Sequence, residues 1–124
     1  MSGEEFKNWL KLYGQAWEDK DAMRFSELFA NEVKYFLNPF EIPLTGRSDI
    51  QIAVEKKFLT QDNIKFNYQI ISVAENMGVC KWWCKFTRNS NQNLIKLDGV
   101  FICEFNKNNL CKKFNEWWHK DGEL

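Results

Sequence analysis

The apolar residues of this chain change their period near Lys65, and that change limits the folds open to it more than any other feature. Before it, Phe6, Trp9, Leu10, Tyr13 and Trp17 fall on one face of a helix, and Ser2 with Glu5 makes a capping box ahead of them. After the charged break "EDKD", Asp21 is placed to cap a second, shorter helix carrying Phe25, Leu28 and Phe29. "VKYFL" at 33–37 is a short β-rich run, and "NPFEIPLTG" behind it holds both prolines and reads as loop. Ser48 with Gln51 forms another capping box, before a third helix with the stripe Ile50, Val54 and Phe58. Beyond Lys65, β-branched and aromatic runs at about 64–75, 79–88, 94–106 and 110–120 are separated by "NMG", "NSNQN" and "KNN". Helices gathered ahead of four antiparallel strands predict an α+β domain, its strongly curved sheet covered on one face by the helices.

A chain of 124 residues makes one domain, residues 1–124, with no room for a separate cofactor domain. Eleven Phe and six Trp supply rings that can wall a cavity as well as fill a core. Seventeen basic residues balance seventeen acidic ones without a basic stripe, which argues against nucleic acid and anionic membrane as partners. No run of apolar residues is long enough to span a bilayer, and "MSGEEFKNWL" does not read as a signal peptide, so a cytoplasmic location is expected. Cys80 and Cys84 lie in a strand-like run that separates them by ~13 Å, too far for a disulfide or a shared zinc. Together with Cys103 and Cys111 they are expected to be reduced, small hydrophobes, and no metal or other cofactor is expected.

The segment "YGQAWEDKDAMRFSELFANEVKYFLNPFEIPLTGRSDI", followed by "LDGVFICEFNKNNLCKKFNEWWH", resembles the NTF2-like superfamily, in particular its SnoaL-like members, over about residues 6–119. The resemblance rests on the order of the "AW..KD...F..LFA" helix pair, the "NPF......GR..I" loop and the Trp-Trp-His ending. It implies a cone of three helices on a curved mixed sheet, a cavity at the wide end, and frequent dimerisation through the outer sheet face. It implies no single reaction, since the superfamily includes ketosteroid isomerases, dehydratases, epoxide hydrolases, polyketide cyclases and transport adaptors. Ketosteroid isomerases of this fold have a tyrosine on the first helix, where Tyr13 stands here. Their aspartate base falls near Asn38 of this chain, and an amide cannot abstract a proton as a carboxylate does.

Asp98, Glu116 and His119 remain as candidate acid–base groups in the last hairpin. If Asn109 takes the left-handed position of a bulged turn, Asn106 pairs with Leu110 and the register places Asp98 opposite Trp118 and Val100 opposite Glu116. Both carboxylates then share one face, where desolvation and mutual repulsion would poise one as a general acid or base. A turn one residue shorter separates them. The alternative is structural: Asp98 opens a bulge with Gly99, and Glu116 pairs with Lys112 or Lys96 at the rim. His119 is expected at the rim or in a subunit interface. Tyr13, Trp17, Tyr35, Phe40 and Trp118 are candidates to line a cavity for a small apolar or aromatic ligand, with core filling as the alternative. Trp82 and Trp83 must project to opposite faces of one strand, and the outward one favours a homodimer.

The expected function is therefore that of a SnoaL-like small-molecule-binding domain with a largely apolar pocket. One alternative is a cofactor-independent lyase, isomerase or hydrolase using Asp98 and Glu116 with Tyr13. The other is a protein-interaction adaptor.

Overall fold

Three helices lie against one face of a six-stranded sheet in the computed structural model, which describes residues 1–122. The elements run α1 (Gly3–Glu18), α2 (Ala22–Ser26), β1 (Phe29–Phe36), β2 (Leu44–Thr45), α3 (Gly46–Phe58), β3 (Gln61–Ala74), β4 (Met77–Arg88), β5 (Leu94–Phe105) and β6 (Cys111–Asp121). The strand order is β2-β1-β6-β5-β4-β3. The strands β3 to β6 form an antiparallel meander, and β1 joins β6 in parallel, so the sheet is mixed. This is the α+β arrangement expected from the change of period, with the sheet strongly curved and open at its edges.

The predicted capping box forms: Ser2 Oγ accepts from Glu5 N at 3.1 Å, and Ser2 N donates to Glu5 Oε1 at 2.8 Å. It starts α1 at the turn that brings Phe6, Trp9, Leu10 and Tyr13 onto the sheet, where all four are buried. Gly14 lets the helix approach closely, since a Cβ there would stand 2.6 Å from the Phe66 ring. The rings then pack in sequence: Tyr13 stacks with Phe114, Phe114 with Tyr35, and Phe101 with Trp82.

Four boundaries differ from expectation. The second helix stops at Ser26, and Phe29 opens β1, because Asp21 caps a single short turn and Phe29 is drawn into the core from the strand. Ser48 lies inside α3 and caps nothing; Thr45 is the cap residue, and Asp49 Oδ2 accepts from Thr45 N at 3.2 Å instead. The stripe Ile50, Val54 and Phe58 is buried as expected. Leu44 and Thr45, read as loop, pair with Tyr35 and Lys34.

The fourth difference changes the chemistry. Asn109 does adopt a left-handed backbone (φ 61°), and Asn106 N donates to Leu110 O at 2.9 Å, so the turn is the bulged one. A second irregularity follows at once: Phe105 pairs with Cys111 but Glu104 pairs with Lys113, leaving Lys112 without an opposite number. Every later pair is displaced by one. Asp98 stands opposite His119, Gly99 opposite Trp118, and Glu116 opposite Phe101. Asp98 and Glu116 therefore occupy opposite faces of the sheet, and the expectation that they share one is corrected.

Candidate functional site

Among the described residues, Glu116 is the carboxylate that the core contains. It is 7% exposed, on the inner face of β6, with Tyr35 of β1 beside its carboxyl and Lys57 of α3 within electrostatic reach. Burial pushes its pKa up to about 7; the Lys57 ammonium and then the Tyr35 hydroxyl each pull the other way. Tyr13 and Tyr35 hold their hydroxyls 3.4 Å apart. Desolvation, and then the nearby Glu116 charge, hold both phenols well above their usual range, so they remain protonated and serve as hydrogen-bond donors rather than bases.

Two small hollows meet at this carboxylate. One of about 40 Å³ lies among Tyr13, Phe25, Tyr35 and Val54. The other, of about 140 Å³, extends along the inner face of β4 between Trp82 and Arg88 and is also bordered by Trp17, Leu97 and Trp118. Glu116, Lys57 and Trp17 border both. Gly99 sits between Trp82 and Trp118 in one cross-strand row. No side chain fits there without a backbone shift, since a Cβ on Gly99 would lie 1.9 Å from Trp117 O. With about 30 Å³ per water, the larger hollow has the volume of roughly five water molecules, which suits a ligand of few heavy atoms. Polar residues (Lys57, Thr60, Gln61, Arg88, Glu116) make up half of the residues on its border.

The expected residues divide accordingly. Tyr13, Trp17, Tyr35, Glu116 and Trp118 border the two hollows. Asp98 does not: on the outer face, its Oδ1 accepts from Lys81 Nζ at 2.6 Å. Phe40 does not either, being 95% exposed in the loop after β1, where proline and the Asn38 side chain shape the chain away from the core. Asn38 Oδ1 accepts from Phe40 N at 2.9 Å, a turn-forming role. His119 is exposed on the outer face. Glu116 pairs with neither Lys112 nor Lys96. Its cation is Lys57, which sequence reading missed, as it missed Trp82 and Arg88. Alternation in "CKWWCKFTR" puts Trp82 and Arg88 on one face of β4, but only the sheet's curvature reveals that this face meets Lys57 and Glu116.

No protein-family model matches the chain, and no curated protein matches it. Solved structures do. The chain is similar to the Delta 5-3-ketosteroid isomerase from Mycobacterium sp. with a TM-score of 0.81 at 10% identity, over 96% of this chain and 98% of that one. Its likeness to SalBIII, an epoxide hydrolase/cyclase-like enzyme in pyran ring formation in polyether salinomycin, has a TM-score of 0.81 at 11% identity, covering 96% and 95%. An NTF2-like protein of unknown function from Exiguobacterium sp. 255-15 matches with a TM-score of 0.75 at 17% identity, over 90% and 98%. The α+β architecture deduced from the change of period, the helices on the concave face and these likenesses agree: the chain has the NTF2-like fold.

Proposed function

We propose that the protein is a SnoaL-like small-molecule-binding domain whose ligand enters the hollow beside Glu116, and that Glu116 exchanges a proton with it. The observation that carries this reading is a buried carboxyl, its pKa pushed up to about 7, at the place where two hollows meet, the smaller of them bordered by phenols that stay protonated. Near neutral pH Glu116 is present in both forms, which is the condition for general acid and base catalysis without a cofactor. Lyase, isomerase and hydrolase chemistry can each begin with such a transfer, and the isomerase and cyclase-like enzymes of this fold lend support. Tyr13 and Tyr35 donate to oxygen that gains charge as the proton moves.

The test is solvent-proton exchange into small carbonyl compounds, followed by proton NMR in deuterated buffer. Wild-type protein should catalyse exchange of protons next to the carbonyl, and Glu116→Gln should lose it by about a hundredfold or more. Exchange undiminished in Glu116→Gln would remove that carboxyl from the chemistry. A wild-type protein that binds these compounds without exchange would leave the binding half of the reading alone.

We also infer that the outer sheet face pairs with a second copy of the chain. Trp83 (38% exposed) and Trp117 (43%) both stand on it, an uncommon use of indole in water. Among the described residues no helix is long and apolar enough to cross a membrane. The four buried, free thiols support a reducing, cytoplasmic setting.

A further inference from the structure

Two buried donors along the larger hollow have no acceptor. Trp82 Nε1 and Arg88 Nε are both out of contact with solvent, and neither meets a hydrogen-bond acceptor among the described residues. An unmade hydrogen bond at a buried donor costs about 1–3 kcal/mol, and Trp82 is 1% exposed. Both residues border the same hollow, on the inner face of β4.

The remaining polar groups there extend the pattern. Gln61 Oε1 already accepts from Trp17 Nε1 at 2.8 Å, so the amide nitrogen is the part of Gln61 left to donate. Thr60 spends its hydroxyl proton on Lys57 O at 2.8 Å. Lys57 adds an ammonium donor and Arg88 a guanidinium. Against this supply of donors and two positive charges stands one carboxyl, Glu116, which burial shifts toward its neutral form.

We propose that the hollow between Trp82 and Arg88 is a recognition site for a small organic acid, whose carboxylate takes the cationic lining and whose oxygen accepts from the Trp82 indole. The proposal rests on the same ligand hollow as the proposed function and adds the ligand's chemical class. A protonated Glu116 makes the exchange of charges complete: the acid's carboxylate replaces the Glu116 charge opposite Lys57 and Arg88, and two carboxylates need not share one small hollow. The groups facing Glu116 are Tyr13 from α1, Tyr35 from β1 and Lys57 from α3, with Arg88 of β4 along the same hollow. Binding therefore takes up a proton at Glu116, and affinity falls as pH rises past neutrality.

The experiment compares isobutyrate with its uncharged isostere isobutyramide, by following tryptophan indole N–H signals in two-dimensional NMR. The proposal expects isobutyrate to move the Trp82 indole signal and to bind at least about tenfold more tightly than isobutyramide, the scale of one hydrogen bond to a charged group. It expects Arg88→Gln to weaken isobutyrate by about the same factor while isobutyramide is little changed, and Trp82→Phe, which removes a donor that either ligand's oxygen can use, to weaken isobutyrate as well. In the wild type, isobutyrate affinity should drop between about pH 6 and pH 8, and in Glu116→Gln that drop should disappear. Folding of each variant is confirmed by its dispersed NMR spectrum, and if Trp82→Phe does not fold, Arg88→Gln decides alone. Equal binding of acid and amide, with the indole signals moved by both, overturns the acid-recognition site and leaves the ligand hollow standing. No movement of the Trp17, Trp82 or Trp118 signals by either compound overturns the hollow as a binding site as well.

Discussion

Asp98 pairs with His119 across β5 and β6, one residue away from the partner that the bulged turn alone would give it. The offset arises at Lys112, and its effect is to send Asp98 to the solvent face while Glu116 goes inward opposite Phe101. Asp98 is left with a surface ion pair to Lys81. Replacing Asp98 by Asn should accordingly change stability by less than about 1 kcal/mol, as exposed pairs do, and should leave the Glu116 titration in place. Carboxyl chemical shifts followed through a pH series check this. A clear displacement of the Glu116 midpoint in Asp98→Asn would mean that the two carboxylates sense each other after all.

Glu116 ties stability to pH. Its folded pKa, about 7, is above the ordinary 4.5, so the folded chain binds the proton more tightly than the unfolded chain does. Stability is then greatest below the unfolded pKa and declines as pH rises through the interval between the two values, levelling off once the folded group has ionised. The cost of the ionised, buried carboxylate is on the order of 3 kcal/mol. Glu116→Gln removes it. Urea denaturation should show the variant more stable than the wild type above pH 7, with the advantage shrinking toward about pH 4. A difference between the two proteins that stays constant across this range would argue against a raised pKa.

Gly99 marks the tightest approach of β5 to β6. The 1.9 Å separation of a hypothetical Cβ from Trp117 O cannot be relieved by turning a side chain, because the obstacle is backbone. Gly99→Ala should destabilise the fold by about 1–3 kcal/mol or more, and should disturb the row from Trp82 to Trp118 that frames the larger hollow. Denaturant midpoints measure the first effect and indole NMR signals the second. A variant as stable as the wild type, with unmoved indole signals, would show that the strands part there without cost.

The elements that were legible in advance are those fixed by local rules. Ser2 and Glu5 are three residues apart and cap α1 whatever the rest of the chain does, and the alternation of "KWWCK" puts Trp82 and Trp83 on opposite faces of any sheet, of which the helices cover the Trp82 one. Ser48 shows the limit of that logic, because Gly46 and the pairing of Leu44 with Tyr35 start α3 three residues earlier and turn a good cap sequence into helix interior. The candidate site failed at one point for a similar reason. Asn109 correctly indicates the turn, but the additional bulge at Lys112 has no glycine or asparagine to announce it, and one residue of offset exchanges the two faces of β6. Lys57 and Arg88 were missed because their relation to Glu116 is wholly tertiary: one ends α3, the other ends β4, and only sheet curvature joins them.

The outer face yields the last prediction. Cross-strand rows place Trp83 beside Asp98 and His119, and in the next row Trp117 beside Val100 and Lys81. The two indoles thus straddle a patch with Val100 at its centre, while the Lys81–Asp98 pair supplies both signs of charge within it. A patch of that make-up is self-complementary under a two-fold axis, where each indole can cover apolar surface of the other copy and each ion pair can face its symmetry mate. A standard interface buries about 800 Å² per partner, and its energy concentrates in aromatic anchors. Sedimentation at micromolar protein should therefore give a dimer. Trp117→Lys, which introduces a positive charge on each copy at the shared patch, should give a monomer with its pH–stability profile intact, since Glu116 lies on the other face. A monomeric wild type, or a Trp117→Lys dimer as tight as the wild type, would remove this face as the contact.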